Sequence, residues 1–368
     1  MATPIIKIQR LLIKSMFEGI SFVSNPLVAG ALLFVLTRQP GQSGNTIKTR
    51  LIEQLDRLPF ELNLERTIIV LKVLFGFGFI TRTNAYLNTI AQSSWALTAP
   101  VSDWVWHQEI AVVTGGSAGI GEQTSIRLAK KGVKVAILDI SPPTNAALQN
   151  NPRVHFIHTD VTDIKAIDSA ADEIRSKWGS PSILINNAGI GAARLITEST
   201  PETLVKIFGV NVFHHFYTVR AFLPDMVKRN HGHIVTIAST ASFVALPGIA
   251  DYAATKAGIL SFHEALKQEI VHVHKAPKVL TTVIHPNWTR TALIAKEADQ
   301  IEKAQGPLLT PGVVADNIVE PIFSARGRQV IIPESLKLLS LVKAWPNWLQ
   351  DGFRGLLAKQ ASQEFMAR

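Results

Sequence analysis

The stretch that most constrains this chain is "EIAVVTGGSAGIGEQTSIRLAKKG", residues 109–132. A short apolar run ends in Gly115, Gly119 and Gly121 follow, and helical periodicity then carries to Gly132. This is a strand, a tight turn and a helix. Glycines let the backbone turn and approach a pyrophosphate, and the helix start presents free N–H groups to phosphate oxygens. The next strand, "KVAILDI", ends with Asp139, 18 residues after Gly121. A carboxylate there accepts both ribose hydroxyls of NAD and repels the 2′-phosphate of NADP. Positions 117, 118 and 140 hold no Lys or Arg to neutralise that phosphate, so NAD is expected in preference to NADP. The alternative for Asp139 is an ordinary strand-end turn residue.

More strands follow at regular spacing: "VHFIHTD" to Asp160, "SILINNAG" over 182–189, "GHIVTIAST" over 232–240, "KVLTTVIHP" over 278–286 and "RQVIIP" to Pro333. Helical stretches separate them. The alternation predicts an α/β fold: a doubly wound, mostly parallel, Rossmann-type sheet with helices on both faces. Ligands of such sheets bind beyond the carboxyl ends of the strands, where Asp160, Asn187, Gly189, Ser239 and Pro286 fall. Three parts are expected: an apolar N-terminal extension over 1–108, the catalytic domain over 109–333 and an amphipathic tail over 334–368.

The extension carries "NPLVAGALLFVLTR" (25–38) and "TIIVLKVLFGFGFI" (67–80). A spanning helix needs about 20 apolar residues. Asn25 and Pro26 break into the first stretch and Lys72 sits inside the second. Lys7, Arg10 and Lys14 precede an apolar run in the manner of a signal anchor, without a cleavage pattern behind it. Two readings stand: helices packed on the soluble domain, or membrane association as a short anchor or in-plane helix. Trp104 and Trp106 suit either a headgroup interface or packing. In the tail, Leu338, Leu341, Trp345, Trp348 and Leu349 recur at near-helical spacing among Lys337, Lys343 and Arg354, and Pro346 breaks the helix. Such a tail covers a substrate pocket, touches a membrane or pairs two subunits.

The chain is 47% apolar and 18% charged, enough for a full core. Without cysteine it has no disulfide, thiolate metal site or thiol nucleophile. Its formal charge of +9 comes without zinc-finger spacing or a dense basic tract, so nucleic acid is not an expected partner. His214–His215 and His272/His274 lack a carboxylate frame, so no metal site is expected.

"YAATK" places Tyr252 and Lys256 four apart, on one face of a helix. A free tyrosine is a poor base at neutral pH, and a nearby ammonium favours the phenolate. Tyr252 then takes the hydroxyl proton while a hydride leaves, and Ser239 bonds the substrate oxygen. The bland readings are a chance pair on a helix, a strand-end cap at Ser239 with Thr240 and Ser242 as rivals, and a helix cap or kink at Asn211.

Over about residues 109–333 the sequence resembles the short-chain dehydrogenases/reductases. Their Gly-rich signature matches at Thr114, Gly115, Gly119 and Gly121, their acidic residue after the third strand at Asp160–Val161, and their "NNAG" element at Asn186–Gly189. The resemblance implies a catalytic tetrad of Asn211, Ser239, Tyr252 and Lys256. In it the lysine also holds the nicotinamide ribose and the asparagine secures a water. Ser239 lies 13 residues before Tyr252, the family's common spacing, which favours it over Ser242. Cofactor contacts are implied at Gly115, Ser117, Gly119, Ile120, Gly121, Asp139, Asp160, Val161, Asn187, Gly189, Tyr252, Lys256, Pro286, Thr289 and Thr291.

After the sixth strand the family often has Pro-Gly, then a Val and a Thr. This chain reads "HPNWTRT", keeping Pro286 and Thr291 but holding Asn287 and Thr289 at the other two positions. Pro-Asn looks like the group of lipid-droplet 17-beta-hydroxysteroid and membrane-bound retinol dehydrogenases. That likeness implies a steroid, retinoid or other lipid substrate, an endoplasmic-reticulum or lipid-droplet surface with a cytosol-facing catalytic domain, and the family's frequent homodimer. Trp288 to Pro311 is expected as a lid, with Phe243, Val244, Leu246 and Pro247 as the opposite wall. Rival functions are an NADP-linked biosynthetic ketoreductase, a sugar-nucleotide epimerase and a non-catalytic NAD-binding scaffold at lipid surfaces.

Overall fold

The computed structural model describes residues 25–37 and 64–366; Lys7, Arg10 and Lys14 lie outside the described residues. The chain divides into two compact units, one up to Asn88 and one from Thr89. In the first, helix α1 spans Pro26–Thr37 and helix α2, Leu64–Gln92, begins. The two residues that interrupt the first apolar stretch start its helix. Asn25 Oδ1 accepts the Leu27 N–H at 3.1 Å, and Pro26 takes the first helical position, where its missing N–H costs nothing. On α2, Val70, Val73, Phe77, Phe79 and Ile80 are exposed. No helix among the described residues is long and apolar enough to cross a membrane.

The second unit holds every strand the sequence predicts: β1 Ile110–Thr114, β2 Lys134–Asp139, β3 Val154–His158, β4 Ile183–Asn186, β5 Gly232–Ile237, β6 Val279–Pro286 and β7 Arg328–Ile332. They form one parallel sheet in the order β3-β2-β1-β4-β5-β6-β7. The helices in chain order are α3 Gly119–Lys130, α4 Ala146–Gln149, α5 Ile164–Trp178, α6 Pro201–Phe208, α7 His214–Arg229, α8 Ala250–Gln268, α9 Ala298–Gln305, α10 Pro311–Phe323 and α11 Asn347–Met366.

Strand residues alternate between two apolar layers. Ala111, Val113, Val135 and Ile137 pack with Leu128 of α3 and with Val314, Ile318 and Ile322 of α10. Their neighbours Ile110, Val112, Ala136 and Leu138 pack with Ile174 of α5 and with Phe222 and Met226 of α7. All of β1 is buried, which is why its sequence is a continuous apolar run. Trp104 belongs to the first layer and stacks on Trp106 with ring centroids 5.4 Å apart; Trp106 meets Phe323 edge-on. Of the two readings of these tryptophans, packing holds.

The tail departs from its expected face. Residues Glu334–Ala344 run as successive 3₁₀ turns, with three residues per turn. Leu336, Leu339 and Val342 therefore share a row, and that row packs with Val244 and Ile331. Leu338, Leu341, Trp348 and Leu349, picked out by a 3.6-residue period, are exposed instead, Trp348 by 75%. Trp345 does pack, edge-on to Phe353 at 5.6 Å. Pro346 separates the 3₁₀ segment from α11.

Candidate active site

The carboxyl ends of the strands open into a cleft of about 2000 Å³ within the second unit. Its nucleotide end is built by the turn between β1 and α3. Gly115 and Gly119 have φ of +63° and +57°, which an L side chain resists. Gly121 has another reason to be glycine: a Cβ there would lie 2.1 Å from Gly115 O and 2.6 Å from Asn187 Nδ2. It packs the helix onto the loop. Ala118 gives α3 no side-chain cap, so the leading N–H groups of the helix are left to the cleft.

Asn187 pins this turn. Its Nδ2 donates to Thr114 O and Gly115 O, each at 3.0 Å. In return Thr114 Oγ1 accepts the Asn187 and Ala188 N–H groups, also at 3.0 Å. Asp139 lines the cleft at the end of β2, where Oδ2 accepts the Ser117 N–H at 3.0 Å and Oδ1 the Ser141 N–H at 3.2 Å. Asp160 folds back on Thr162, while Val161 is buried; both line the cleft. Ser117, Ile120, Gly189, Pro286, Thr289 and Thr291 line it too. Thr291 stands opposite Gly119, its Cγ2 3.5 Å from where a Cβ of that glycine would be.

Ser239, Tyr252 and Lys256 meet in the middle of the cleft. Tyr252 and Lys256 come from the first turns of α8, and Ser239 follows β5. Lys256 Nζ donates to Ile237 O at 2.9 Å and lies 5.6 Å from the Tyr252 ring centroid. Burial lowers its pKa to about 8. Burial raises that of Tyr252, and a hydrogen bond from Ser239 offsets part of the rise. Desolvation of the phenolate is the larger of these two effects. Pro286 O, 3.4 Å from Ser239 Oγ, is the other acceptor open to its single proton. The rival Ser242 is buried with its hydroxyl on Lys256 O at 3.0 Å, and Thr240 bonds Asn287.

Asn211 sits in a π-helical turn, Gly209–Phe213, fully buried and off the cleft surface. Its Oδ1 accepts the Ile190 N–H at 2.8 Å, and Nδ2 donates to Ile190 O at 2.8 Å and Thr255 Oγ1 at 3.1 Å. The side-chain amide is therefore spent on fixing the wall beside Gly189, where a Cβ would lie 3.7 Å from Lys256 Nζ.

The other end of the cleft is apolar. Val244, Leu246 and Pro247 line it as expected, with Trp288, Leu293 and Ile294. Phe243 does not line it; the ring is buried against His285 with centroids 4.5 Å apart. Sequence reasoning missed Leu336 and Leu339, hidden by the 3₁₀ period, and Phe353 and Leu357 of α11; all four line this end from the tail. It also gave Thr255 and the Ile237 carbonyl no part, since each acts through a partner distant in sequence.

The family described as short chain dehydrogenase matches residues 109–302, more than half the chain. The chain belongs to the short-chain dehydrogenases. It is similar to Dehydrogenase RED2 of Cochliobolus heterostrophus, 44% identical over 230 residues, covering 60% of this chain and 84% of that one. It is also similar to Estradiol 17-beta-dehydrogenase 11 of Homo sapiens, 32% identical over 264 residues, covering 70% of this chain and 85% of that one. Among solved structures, 3-ketoacyl-(acyl-carrier-protein) reductase from Brucella melitensis, complexed with NADH, superposes with a TM-score of 0.54. That similarity carries 27% identity over 62% of this chain and 98% of that one. The dehydrogenase is an NAD(P)-dependent oxidoreductase acting on a CH–OH group.

Proposed function

We propose that this dehydrogenase oxidises an apolar alcohol, a steroid, retinoid or long-chain lipid, with NAD rather than NADP. The observation that carries the substrate class is the apolar end of the cleft, walled by Val244, Leu246, Leu293, Leu336, Phe353 and Leu357 beside Ser239 and Tyr252. Similarity to a steroid dehydrogenase supports the same class.

The residues present fit a dinucleotide. Ser117 Oγ is buried, lines the cleft and has no hydrogen-bond partner among the described residues, which suits a phosphate oxygen. Of the residues that line the cleft, Gly115, Gly119 and Ile120 would hold the pyrophosphate, Asp139 the adenosine ribose, and Pro286, Thr289 and Thr291 the nicotinamide. Lys206 and Lys256 are the cations lining the cleft, and neither belongs to the turn that carries Asp139, which supports NAD. A bound nicotinamide supplies the hydride acceptor at its C4. Tyr252 holds and moves the hydroxyl proton, Ser239 orients the substrate oxygen, and Lys256 contributes positive charge beside Tyr252. Asn211 acts by position, holding the Ile190 segment behind Lys256.

The test is turnover by the full chain in detergent, followed by nicotinamide absorbance. The panel holds steroid alcohols, retinol, long-chain alcohols and their carbonyl forms, each with both cofactors. We expect NAD-dependent oxidation of an apolar alcohol with kcat/KM at least tenfold above the NADP reaction. Turnover confined to NADPH and polar ketones would overturn cofactor and substrate together.

A membrane or lipid-droplet surface suits such a substrate, and the exposed Val73, Phe77 and Ile80 of α2 support one. In flotation with phosphatidylcholine vesicles at high salt, the full chain is expected in the vesicle layer. Recovery in the protein layer would refute surface association while leaving the chemistry untouched.

A further inference from the structure

Ser239 is held from behind as well as from the cleft. β5 and β6 pair with Ile237 opposite Ile284, which brings the residues just after β5 alongside His285. His285 is fully buried, and its Nδ1 lies 3.1 Å from the Ser239 carbonyl oxygen. A carbonyl only accepts, so Nδ1 carries the proton. Burial keeps the ring neutral, with a pKa of about 4, and nearby Lys256 acts in the same direction. Nε2 is then an acceptor, and Gln329 Nε2 donates to it at 3.3 Å. Gln329 is held in turn: its backbone N–H donates to Gln92 Oε1 at 2.9 Å. The Gln92 carbonyl packs so tightly on Gly327 that a Cβ there would come within 2.3 Å of it. Phe243 covers the imidazole. A chain of hydrogen bonds thus runs from Gln92 through Gln329 and His285 to Ser239.

Ser239 needs such support. Its backbone is extended, with φ −170° and ψ 161°, and its hydroxyl accepts the Ala241 N–H at 3.1 Å while its own bond to Pro286 O is long, 3.4 Å. We propose that His285 is a positioning residue for Ser239: its Nδ1–H fixes the Ser239 carbonyl and so aims the hydroxyl at Tyr252, while Gln329 holds the imidazole in the neutral tautomer that can donate there. The proposal rests on the reading of Ser239 as the residue that orients the substrate oxygen. It makes the polar end of α2 and β7 part of the support of the reaction centre, though neither touches substrate.

The chain has three tyrosines, so the full-length protein labelled at tyrosine ¹³Cζ gives three signals, and Tyr252→Phe assigns the one that matters. This readout needs no substrate. Ser239→Ala is expected to move the Tyr252 signal. His285→Leu should move it in the same direction by at least half as much. His285→Asn, whose Nδ2 replaces Nδ1 as donor but leaves a void, should move it by less than a quarter. A merely space-filling histidine predicts the reverse order, since Leu fills the volume better than Asn. In estradiol oxidation with NAD, His285→Leu should lower kcat at least tenfold with KM within twofold, and Asn should restore kcat to within threefold.

A wild-type signal in folded His285→Leu, or equal shifts for Leu and Asn, would overturn the proposal while the Ser239 reading stands. An unmoved signal in Ser239→Ala removes the Ser239–Tyr252 contact, and the proposal falls with it. Should His285→Leu fail to fold, Gln329→Met decides, because it removes only the Nε2 donor of an exposed side chain. A wild-type signal there would be equally fatal.

Discussion

Tyr252→Phe is expected to lower kcat by about 10²–10⁴-fold, the range of a positioned general acid or base. The substitution removes one hydroxyl and keeps the ring that Lys256 covers at 5.6 Å. Lys256 keeps its bond to Ile237 O, and no hydrogen bond of the glycine turn involves the phenol. NAD affinity should therefore stay within about threefold, well under the 1.4 kcal/mol that a tenfold change represents. Burial raises the phenol's pKa in the protein itself, so Tyr252 is protonated at neutral pH. That predicts a rate that climbs with pH in the oxidation direction. The measurement is single-turnover oxidation of an apolar alcohol beside NAD titration by fluorescence. Turnover at the wild-type rate would remove Tyr252 from the chemistry, and joint loss of turnover and NAD binding would make it structural.

How much of this site was legible in the chain differs from residue to residue, for physical reasons. The glycine turn and β1 were legible because their constraints are local. A run buried on both faces must be apolar throughout, and the positive φ at Gly115 and Gly119 needs glycine. Ser239, Tyr252 and Lys256 were legible through spacing on one helix and one strand end. Asn211 was legible as a residue but not in its setting, because its partners Ile190 and Thr255 lie 21 and 44 positions away. The tail was misread because the chain there turns every three residues, so its packed and exposed rows trade places. The burial of the Tyr252 phenol was not legible, because a spacing rule sees the ammonium and not the loss of water around the ring.

Acid is expected to unfold this protein earlier than its carboxylates alone would. His214, His233 and His263 are buried with pKa values of about 3, and His285 of about 4, each lowered first by desolvation. His215 is lowered as well, by burial and by its neighbour His214. The folded chain keeps these rings neutral, while the unfolded chain protonates them near 6.5. Their contribution is thus complete above pH 6.5 and is lost as pH falls from there toward the folded values. Between pH 6.5 and 5 each group costs about 2 kcal/mol at 1.36 kcal/mol per pKa unit. Four of them together remove on the order of 8 kcal/mol, comparable with the 5–15 kcal/mol that holds a typical domain together. The lowered carboxylates Glu109 and Asp316 act in a separate window, since the stability they lend is lost only below their ordinary values of 4.5 and 3.8. Urea unfolding followed by tryptophan fluorescence should therefore show the midpoint falling steeply from pH 7 to 5. His233→Gln keeps a hydrogen-bonding group near Thr282 Oγ1, which His233 Nε2 meets at 2.8 Å, and removes one titrating ring. It should reduce the proton uptake on unfolding by about half a proton at pH 6.5, rising to about one at pH 5. A midpoint that stays level down to pH 5 and drops only below 4.5 would mean that the carboxylates, not the buried imidazoles, set the acid limit of the fold.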